Sequence, residues 1–200
     1  MTRPYLETAR LLLREFTPDD VEALVELDSD PEVMRFINGG RPTPREEVER
    51  VILPRWLRYH AESPGLGFWA AEEKSSAEFL GWFHLRPGEG HPADEPELGY
   101  RLRRSAWGRG LATEGSRALV DKGFAELGVR RVWAETMVVN TASRRVMEKV
   151  GLRLVEVFHA DWPDRIPGDE HGDVRYALDR AEWTRRREAT GAGSGTGAGS

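Results

Sequence analysis

The chain contains no cysteine. This absence excludes disulfides, thiolate metal ligands and a cysteine nucleophile, and it fits the reducing cytoplasm as the expected location. No apolar run approaches the roughly 18 residues of a membrane span, and the N-terminus has no apolar stretch typical of a signal peptide, so neither is expected. Basic residues are not in excess, since 29 Lys and Arg stand against 34 Asp and Glu for a net charge of −5. That balance argues against a general nucleic-acid binder but permits a local basic patch.

The length and the C-terminal composition predict the domain organisation. The 200 residues suit one domain that buries a sizeable core. From Thr190 onward only Gly, Ala, Ser and Thr occur, a composition typical of a flexible tail. We therefore predict a single domain over residues 1–189 and a tail over residues 190–200.

Apolar periodicity predicts strands and helices in mixed order, an α/β (mixed α+β) fold with a β–α–β unit at its centre. "TARLLLREF" alternates as a strand does. Two helices should follow, one capped by Thr17 and the other by Thr43 with Glu46 completing a capping box, and Pro54 should kink the second. "GFWAAEEKSSAEFLGWFHLRP" predicts a hairpin, and "PADEPELGYRLRR" predicts a further strand. "LRLVEVFHA" and "DVRYALDRAEW" predict the last strands, which end in a short helical turn.

The segment from Tyr100 to Gly115, "YRLRRSAWGRGLATEG", joins a strand to a helix through a Gly-x-Gly turn. The first N–H groups of a helix have no intrahelical acceptor, and the helix dipole is positive there. Glycine at 108 and 110 lets the backbone approach an anion, and arginines at 101, 103, 104 and 109 add positive charge. The pattern predicts an anion-binding turn; the alternative is an ordinary tight turn with solvated arginines. Its spacing matches neither a P-loop nor a dinucleotide fingerprint.

A second helix should begin directly after the next strand, "RRVWAETMVV". "NTASRRVMEKVG" predicts this helix, with Asn140 as N-cap and Gly151 as its end. Both helices then begin at the same end of adjacent strands, which is where β–α–β units bind ligands. Asn140 and Ser143 lie on one face of the first turn, where they are either simple caps or ligand contacts.

These motifs resemble the core of the GCN5-related N-acetyltransferase (GNAT) superfamily, in particular the branch with the ribosomal-protein N-terminal acetyltransferases. They are Trp-Gly-x-Gly at 107–110, Ala-Thr-Glu at 112–114, Asn-x-x-Ser at 140–143 and Lys-x-Gly at 149–151. The resemblance extends over nearly the whole chain, to about Ala189. It implies a mixed, mostly antiparallel sheet of about seven strands, flanked by helices, whose fourth and fifth strands splay into a V.

The same resemblance implies that acetyl-coenzyme A lies in the V and donates its acetyl group to a primary amine. Because the chain has no cysteine, direct transfer in a ternary complex is expected rather than an acyl-enzyme. The amine belongs to a protein N-terminus or to a small molecule such as an antibiotic or an amino acid. The expected cofactor-binding residues are Tyr100, Leu102, Arg103, Gly108, Arg109, Gly110, Ala112, Thr113, Asn140 and Ser143. No metal, membrane or nucleic-acid partner is expected, and the protein should be a monomer or a homodimer.

Acetyl transfer to an amine needs a base, a site for the oxyanion and a hydrogen-bond donor for the departing thiolate. The resemblance places Ser143 near the sulfur; the alternative is that its hydroxyl bonds its own helix. Glu97 and Glu135 are the candidate bases or water-relay partners, and each is otherwise a solvated strand acid. His84 and His159 are further candidates, although a lone histidine on a strand is usually structural. No set of His, Asp and Glu residues has convincing metal-ligand spacing.

Two further questions stay open at the level of the sequence. Trp56, Trp162 and the acids at 161, 164, 169 and 170 could form a negative mouth for a cationic amine, or only a solvated loop. The alternative function is a non-catalytic acyl-coenzyme A sensor, which would keep the turn without a base or a donor. A nucleotide-binding regulator is disfavoured, because no Lys or Mg²⁺-binding residues accompany the turn.

Overall fold

A computed structural model describes residues 4–88, 90–160 and 164–192. In these ranges eight strands form one sheet in the order β1-β2-β3-β4-β5-β6-β8-β7. The strands are β1 (Pro4–Glu7), β2 (Leu11–Glu15), β3 (Gly67–Glu73), β4 (Phe79–Pro87), β5 (Pro96–Leu102), β6 (Arg131–Met137), β7 (Arg153–Phe158) and β8 (Asp173–Asp179). Only β5 and β6 pair in parallel. The predicted mixed, mostly antiparallel sheet is confirmed. The extra strand is β1, which pairs with β2 at the sheet edge.

Helices cover both faces of this sheet. In the described ranges they are α1 (Val21–Ser29), α2 (Pro31–Asn38), α3 (Arg45–Glu47), α4 (Leu53–Glu62), α5 (Leu111–Glu126), α6 (Thr141–Val150) and α7 (Arg180–Ala192). The irregularity predicted at Pro54 takes the form of a π-helical stretch, Val48–Ile52, directly before α4. Pro54 is the second residue of α4, and because it has no N–H to donate to the preceding turn, the π-helical stretch before it accommodates the missing bond. None of the helices in the described residues is long and apolar enough to cross a membrane.

The predicted N-cap at Thr43 is wrong. Helix α3 begins at Arg45, one residue later than expected, and Pro44 occupies its N-cap position without a side-chain cap. The Thr43 hydroxyl instead donates to the carboxylate of Asp28, 2.9 Å away. Asp28 lies buried at the end of α1, and a buried carboxylate needs hydrogen-bond donors more than a short surface helix needs a cap.

Two apolar clusters separate the faces of the sheet. Phe83 and Leu85 of β4 pack with the predicted apolar side of α5, whereas Trp82, directly before Phe83, belongs to the cluster under α1 and α4. This division follows from the alternation of side chains along a strand. Gly115 allows the close approach of α5, because a Cβ at this position would overlap the ring of Phe83.

Strands β5 and β6 pair at a single position, Glu97 with Trp133. Beyond this position they separate, which confirms the predicted splay between the fourth and fifth strands of the family pattern. The Arg103 N–H donates to the Leu80 carbonyl on the β4 side, at 2.8 Å. Because backbone groups alternate in direction along a strand, those of Tyr100 and Leu102 point into the opening between β5 and β6.

The chain returns to the core after β8. The predicted short helical turn is α7, a helix of 13 residues. Trp183 of α7 packs on Phe124 with the ring centroids 5.3 Å apart, and its indole N–H donates to Asp121 at 2.6 Å. Helix α7 runs to Ala192, so it includes the first residues of the predicted tail; residues 193–200 lie outside the described residues.

Candidate active site

The turn between β5 and α5 presents its backbone to open space. Gly108 and Gly110 have φ values of +71° and +78°, in the left-handed region that favours glycine. A Cβ at Gly108 would meet nothing within 4 Å, and one at Gly110 would meet only Arg10 Nη2 at 3.7 Å. The first backbone hydrogen bond of α5 runs from Glu114 N–H to Gly110 O, so the N–H groups of the preceding residues have no intrahelical acceptor. The turn therefore fits an anion such as a pyrophosphate.

The four arginines of this segment are not free for a phosphate. Each is ion-paired: Arg101 with Asp28, Arg103 with Glu26, Arg104 with Asp30 and Arg109 with Glu73. Arg101 and Arg103 also extend toward the α1 side of the sheet, where they lie over the rings of Trp82 and Phe79. Alternation along β5 sends these two side chains away from α5. The structure therefore does not bring the Arg103 side chain together with the turn.

A different arginine holds the turn. Arg10, between β1 and β2, donates from Nη1 to the Arg109 carbonyl at 2.9 Å and from Nε to the Glu114 carboxylate at 2.8 Å. The Thr8 hydroxyl donates to the same carboxylate at 2.6 Å. Partial burial tends to raise the pKa of Glu114, but the hydrogen bonds from Thr8 and Arg10 outweigh it and lower the pKa. The sequence identifies Glu114 as part of the Ala-Thr-Glu motif, but no sequence pattern predicted its contact with Arg10.

Asn140 joins β6 to α6, as its predicted position implies. Its side-chain oxygen accepts the Ser143 N–H at 3.2 Å, which confirms the N-cap, and its amide donates to the Thr136 hydroxyl at 3.0 Å. Gly151 ends the helix with a φ of +111°. Asn140 thereby fixes where Ser143 stands relative to the end of β6.

Ser143 contacts the side chain of Tyr100, a residue for which the sequence predicted only a backbone role. The Tyr100 hydroxyl lies 3.1 Å from Ser143 Oγ. Burial raises the pKa of Tyr100 to about 12, with the hydrogen bond to Ser143 acting in the opposite direction. On the neighbouring Leu102, the carbonyl already accepts the Trp107 indole N–H at 2.8 Å. The remaining group that Leu102 presents to the opening is its N–H.

The two candidate bases lie on the other face of the sheet. Glu97 is on the β5 face opposite Leu98, and Glu135 is on the β6 face opposite Ala134, since Leu98 and Ala134 both belong to the α5 cluster. Glu97 pairs with Arg86, and Glu135 pairs with Arg175 at 2.5 Å. Burial raises the pKa of Glu97; Arg86 opposes this shift and the charge of Glu135 adds to it. The structure thus brings both carboxylates to one side of the opening.

His84 is a neighbour of Glu97 that the sequence did not connect with it. Its Nε2 lies 3.9 Å from a carboxylate oxygen of Glu97. Its ring stacks on Trp82 and packs over Gly99, where a Cβ would clash. Burial lowers the pKa of His84 well below its usual value, and the charges of Arg86 and Arg101 act in the same direction. The imidazole is therefore neutral at neutral pH.

The described residues do not favour the acidic mouth over a solvated loop. Trp56 is 6% exposed and stacks on Phe68, with 4.3 Å between the ring centroids. Asp164 pairs with Arg41 at 2.7 Å, and Asp161 and Trp162 lie outside the described residues. The compact "DEHGD" group begins with a 3₁₀ turn over Asp169–His171. Among the described residues, no group of three or more His, Asp or Glu side chains could hold a metal ion.

A cleft of about 460 Å³ lies on the same side of the sheet as the candidate bases. Its lining is His91, Glu95, Arg131, Trp133, Val155, Glu156 and Arg175. His91 stacks on Trp133 with the ring centroids 4.4 Å apart, and Arg175 lies over the Trp133 ring. Arg175 also pairs with Glu135, so this side chain connects the wall of the cleft to one of the two candidate bases, although neither base is part of the lining.

The comparisons with known proteins agree with this geometry. Residues 10–153 match the acetyltransferase (GNAT) domain. The FsC-acetyl coenzyme A-N(2)-transacetylase of Aspergillus fumigatus is 39% identical over 193 residues, which are 93% of this chain and 80% of that protein. A GNAT-family acetyltransferase structure from Bacillus anthracis aligns at 24% identity with a TM-score of 0.72, over 88% of this chain and 99% of that chain. The structure of RimL, a ribosomal L7/L12 alpha-N-protein acetyltransferase in complex with coenzyme A, aligns at 20% identity with a TM-score of 0.73, over 88% and 98%. The family predicted from the motifs is confirmed: the chain belongs to the GNAT acetyltransferases.

Proposed function

We propose that this acetyltransferase moves an acetyl group from acetyl-coenzyme A directly to a primary amine of a small molecule, in a ternary complex. One observation carries the proposal. Tyr100 and Ser143 lie on the α5 face of the opening between β5 and β6, whereas Glu97 and Glu135 lie on the opposite face. A donor for the leaving group and a base for the amine thus approach one gap from its two sides, as direct transfer requires.

The residues around the turn fit acetyl-coenzyme A. The backbone N–H groups from Gly108 to Thr113 would hold the pyrophosphate, since the space beside the two glycines is open and the start of a helix carries positive potential. The backbone of Tyr100 and the N–H of Leu102 would bind the pantetheine arm along the β5 edge of the opening. The cofactor supplies an activated acetyl carbon with a thiolate leaving group. Ser143 would donate a hydrogen bond to that sulfur.

Glu97 is the base that the surroundings favour, acting through a water molecule. Its position is three residues before Tyr100, about 10 Å along the strand, which exceeds the reach of direct proton transfer. Its raised pKa moves it toward the working pH, which suits a general base. Glu135 is ion-paired with Arg175 as Glu97 is with Arg86, and it is the burial of Glu97, which raises its pKa, that distinguishes the two. A solvated strand acid would show neither the burial nor the position beside the opening.

Two observations support a small acceptor over a protein N-terminus. The name of the Aspergillus fumigatus relative assigns it transfer to a nitrogen designated N(2) of a substrate abbreviated FsC, and that relative matches 93% of this chain. The cleft beside the candidate bases has about 460 Å³, a volume typical of small-molecule pockets. Trp133 and His91 would contact the apolar part of the acceptor there.

The test is a screen of small amines and N-terminal peptides for coenzyme A release, detected with a thiol reagent. We expect turnover with small amines, no comparable turnover with peptides, and loss of turnover in Glu97→Gln. Peptides as the better acceptors would contradict the assigned acceptor class. Tight acetyl-coenzyme A binding without release on any acceptor would favour the sensor.

A further inference from the structure

The Ser143 hydroxyl is not bonded to its own helix. Its backbone N–H belongs to the Asn140 cap, and among the described residues the hydroxyl has one hydrogen-bond partner, the Tyr100 hydroxyl at 3.1 Å. The two groups come from different elements, since Tyr100 is in β5 and Ser143 is in the first turn of α6. Their hydrogen bond links β5 to α6 at the opening between β5 and β6, where the thioester would lie.

The direction of this hydrogen bond follows from the chemistry of the two hydroxyls. A phenol is the stronger acid and the better donor, and an aliphatic hydroxyl is the better acceptor. Tyr100 retains its proton at neutral pH, because burial raises its pKa to about 12. One bond uses one hydrogen, so when Tyr100 donates to Ser143 Oγ, the Ser143 hydrogen points elsewhere. The opening between β5 and β6 lies next to both groups.

We propose that Tyr100 is a positioning residue for acetyl transfer: it fixes the Ser143 hydroxyl so that its hydrogen points at the departing sulfur. The inference rests on the proposed function, in which Ser143 meets that sulfur. The amine nitrogen bonds to the acetyl carbon, and its proton leaves through the Glu97 water. As the C–S bond then breaks, its electron pair goes to sulfur, and the Ser143 hydrogen bond stabilises the thiolate. Tyr100 loses no proton; it removes the rotational freedom of the Ser143 hydroxyl.

The setting of the Tyr100 ring suits this role. The ring packs beside Phe83 with the centroids 6.1 Å apart, against the cluster that holds α5. A tyrosine on a strand with a packed ring has little freedom, so its hydroxyl is a fixed reference point. Without such a partner, the hydrogen of a serine hydroxyl rotates to whichever acceptor is near.

The experiment compares Tyr100→Phe, Ser143→Ala and the double variant, with Tyr176→Phe as the matched control. The Tyr176 hydroxyl also reaches α6, where it contacts Glu148 at 3.0 Å and Arg144 at 3.2 Å. Steady-state kinetics with the best amine give kcat and KM. Calorimetry gives the affinity for coenzyme A relative to desulfo-coenzyme A, which lacks the sulfur and therefore isolates the sulfur contact without any turnover.

We expect Tyr100→Phe to lower kcat about tenfold, the value of one hydrogen bond, with KM for acetyl-coenzyme A unchanged. Its preference for coenzyme A over desulfo-coenzyme A should shrink, the double variant should match Ser143→Ala, and Tyr176→Phe should match the parent.

If Ser143→Ala changes neither kcat nor this preference, the role of Ser143 in the proposed function fails. If Ser143→Ala lowers both and Tyr100→Phe lowers neither, only the positioning role fails. If Tyr100→Phe lowers kcat by the same factor in the Ser143→Ala variant as in the parent, Tyr100 acts on the substrate itself, which also overturns the inference.

Discussion

Arg10 and Glu114 form a clamp between the N-terminal hairpin and the start of α5. The guanidinium Nη2 lies 2.6 Å from the Glu114 carboxylate, and the Arg10 backbone N–H donates to the same carboxylate at 2.9 Å. The other end of the guanidinium donates to the Arg109 carbonyl. One side chain therefore fixes both the helix start and the residue between the two turn glycines.

We expect Arg10→Ala to weaken coenzyme A binding about five- to tenfold, because a loosened turn must be ordered on binding and a charged hydrogen bond to it is lost. Lys74→Ala is the control, since the Lys74 ammonium lies in the same region but bonds to Glu7 at 2.9 Å and to the Thr8 carbonyl at 3.3 Å instead of to the turn. Calorimetry on both variants measures the effect. Equal affinities for the two variants would mean that the turn keeps its shape without the clamp.

Gly110→Asp tests the assignment of the pyrophosphate. The substitution places a carboxylate where the anion must lie, so coenzyme A affinity should fall at least tenfold, about 1.4 kcal/mol. Gly128→Asp is the matched control, because Gly128 has a φ of +73° and open space around its Cβ position, as Gly110 does, but lies beyond the other end of α5. Both variants carry the same backbone strain. Unchanged affinity in Gly110→Asp, with the fold intact, would remove the turn from the cofactor site.

Local signals made the frame of the site predictable. A helix cap, a C-terminal glycine and an apolar periodicity can each be read from one short segment of sequence. For this reason the predictions of α5, α6, the Gly-x-Gly turn and the Asn140 cap agree with the structure. The pattern of strands likewise predicted the sheet except for β1, a four-residue edge strand. Too short to show a clear alternation, β1 depends on pairing with β2.

The partners of the charged side chains could not be predicted in the same way. Arg101 and Arg103 are close to the turn in sequence, but strand alternation and the acids of α1 draw them to the other face. Thr43 likewise bonds to Asp28 because the buried carboxylate requires donors. The contact of Tyr100 with Ser143 depends on how far β5 and β6 separate, a property of the assembled sheet. No periodicity within one segment encodes these distances.

Helix α7 and the residues after it should differ in their contributions to stability. A chain ending at Ala192 should keep its melting temperature and its coenzyme A affinity, because the Gly, Ala, Ser and Thr composition beyond it cannot bury apolar surface. Trp183→Ala should destabilise the fold by about 2 kcal/mol, less than for a fully buried tryptophan, since it removes the packing on Phe124 and the hydrogen bond to Asp121. Thermal denaturation measures both. A lower melting temperature in the shortened chain would show that the removed residues dock.

The raised pKa of Glu97 predicts opposite effects of pH on activity and stability. The carboxylate is the active form, so kcat/KM of the parent should fall as the pH falls through the raised pKa. The folded state binds the proton more tightly than the unfolded chain does. The stability from this group is therefore fully present below the unfolded pKa and is lost as the pH rises through the folded pKa.

Glu97→Gln should remove both dependences. We expect kcat/KM to fall about 10²-fold, the lower end of general-base effects because the base acts through water, and the acidic limb of its pH profile to disappear. The melting temperature near neutral pH should stay the same or increase, since no buried carboxylate needs to ionise. Glu135→Gln is the comparison, because Glu135 faces the same opening. The acidic limb of this variant should remain and shift to lower pH, since the Glu135 charge that raises the Glu97 pKa is removed. If instead Glu135→Gln loses the limb and Glu97→Gln keeps it, the base is Glu135.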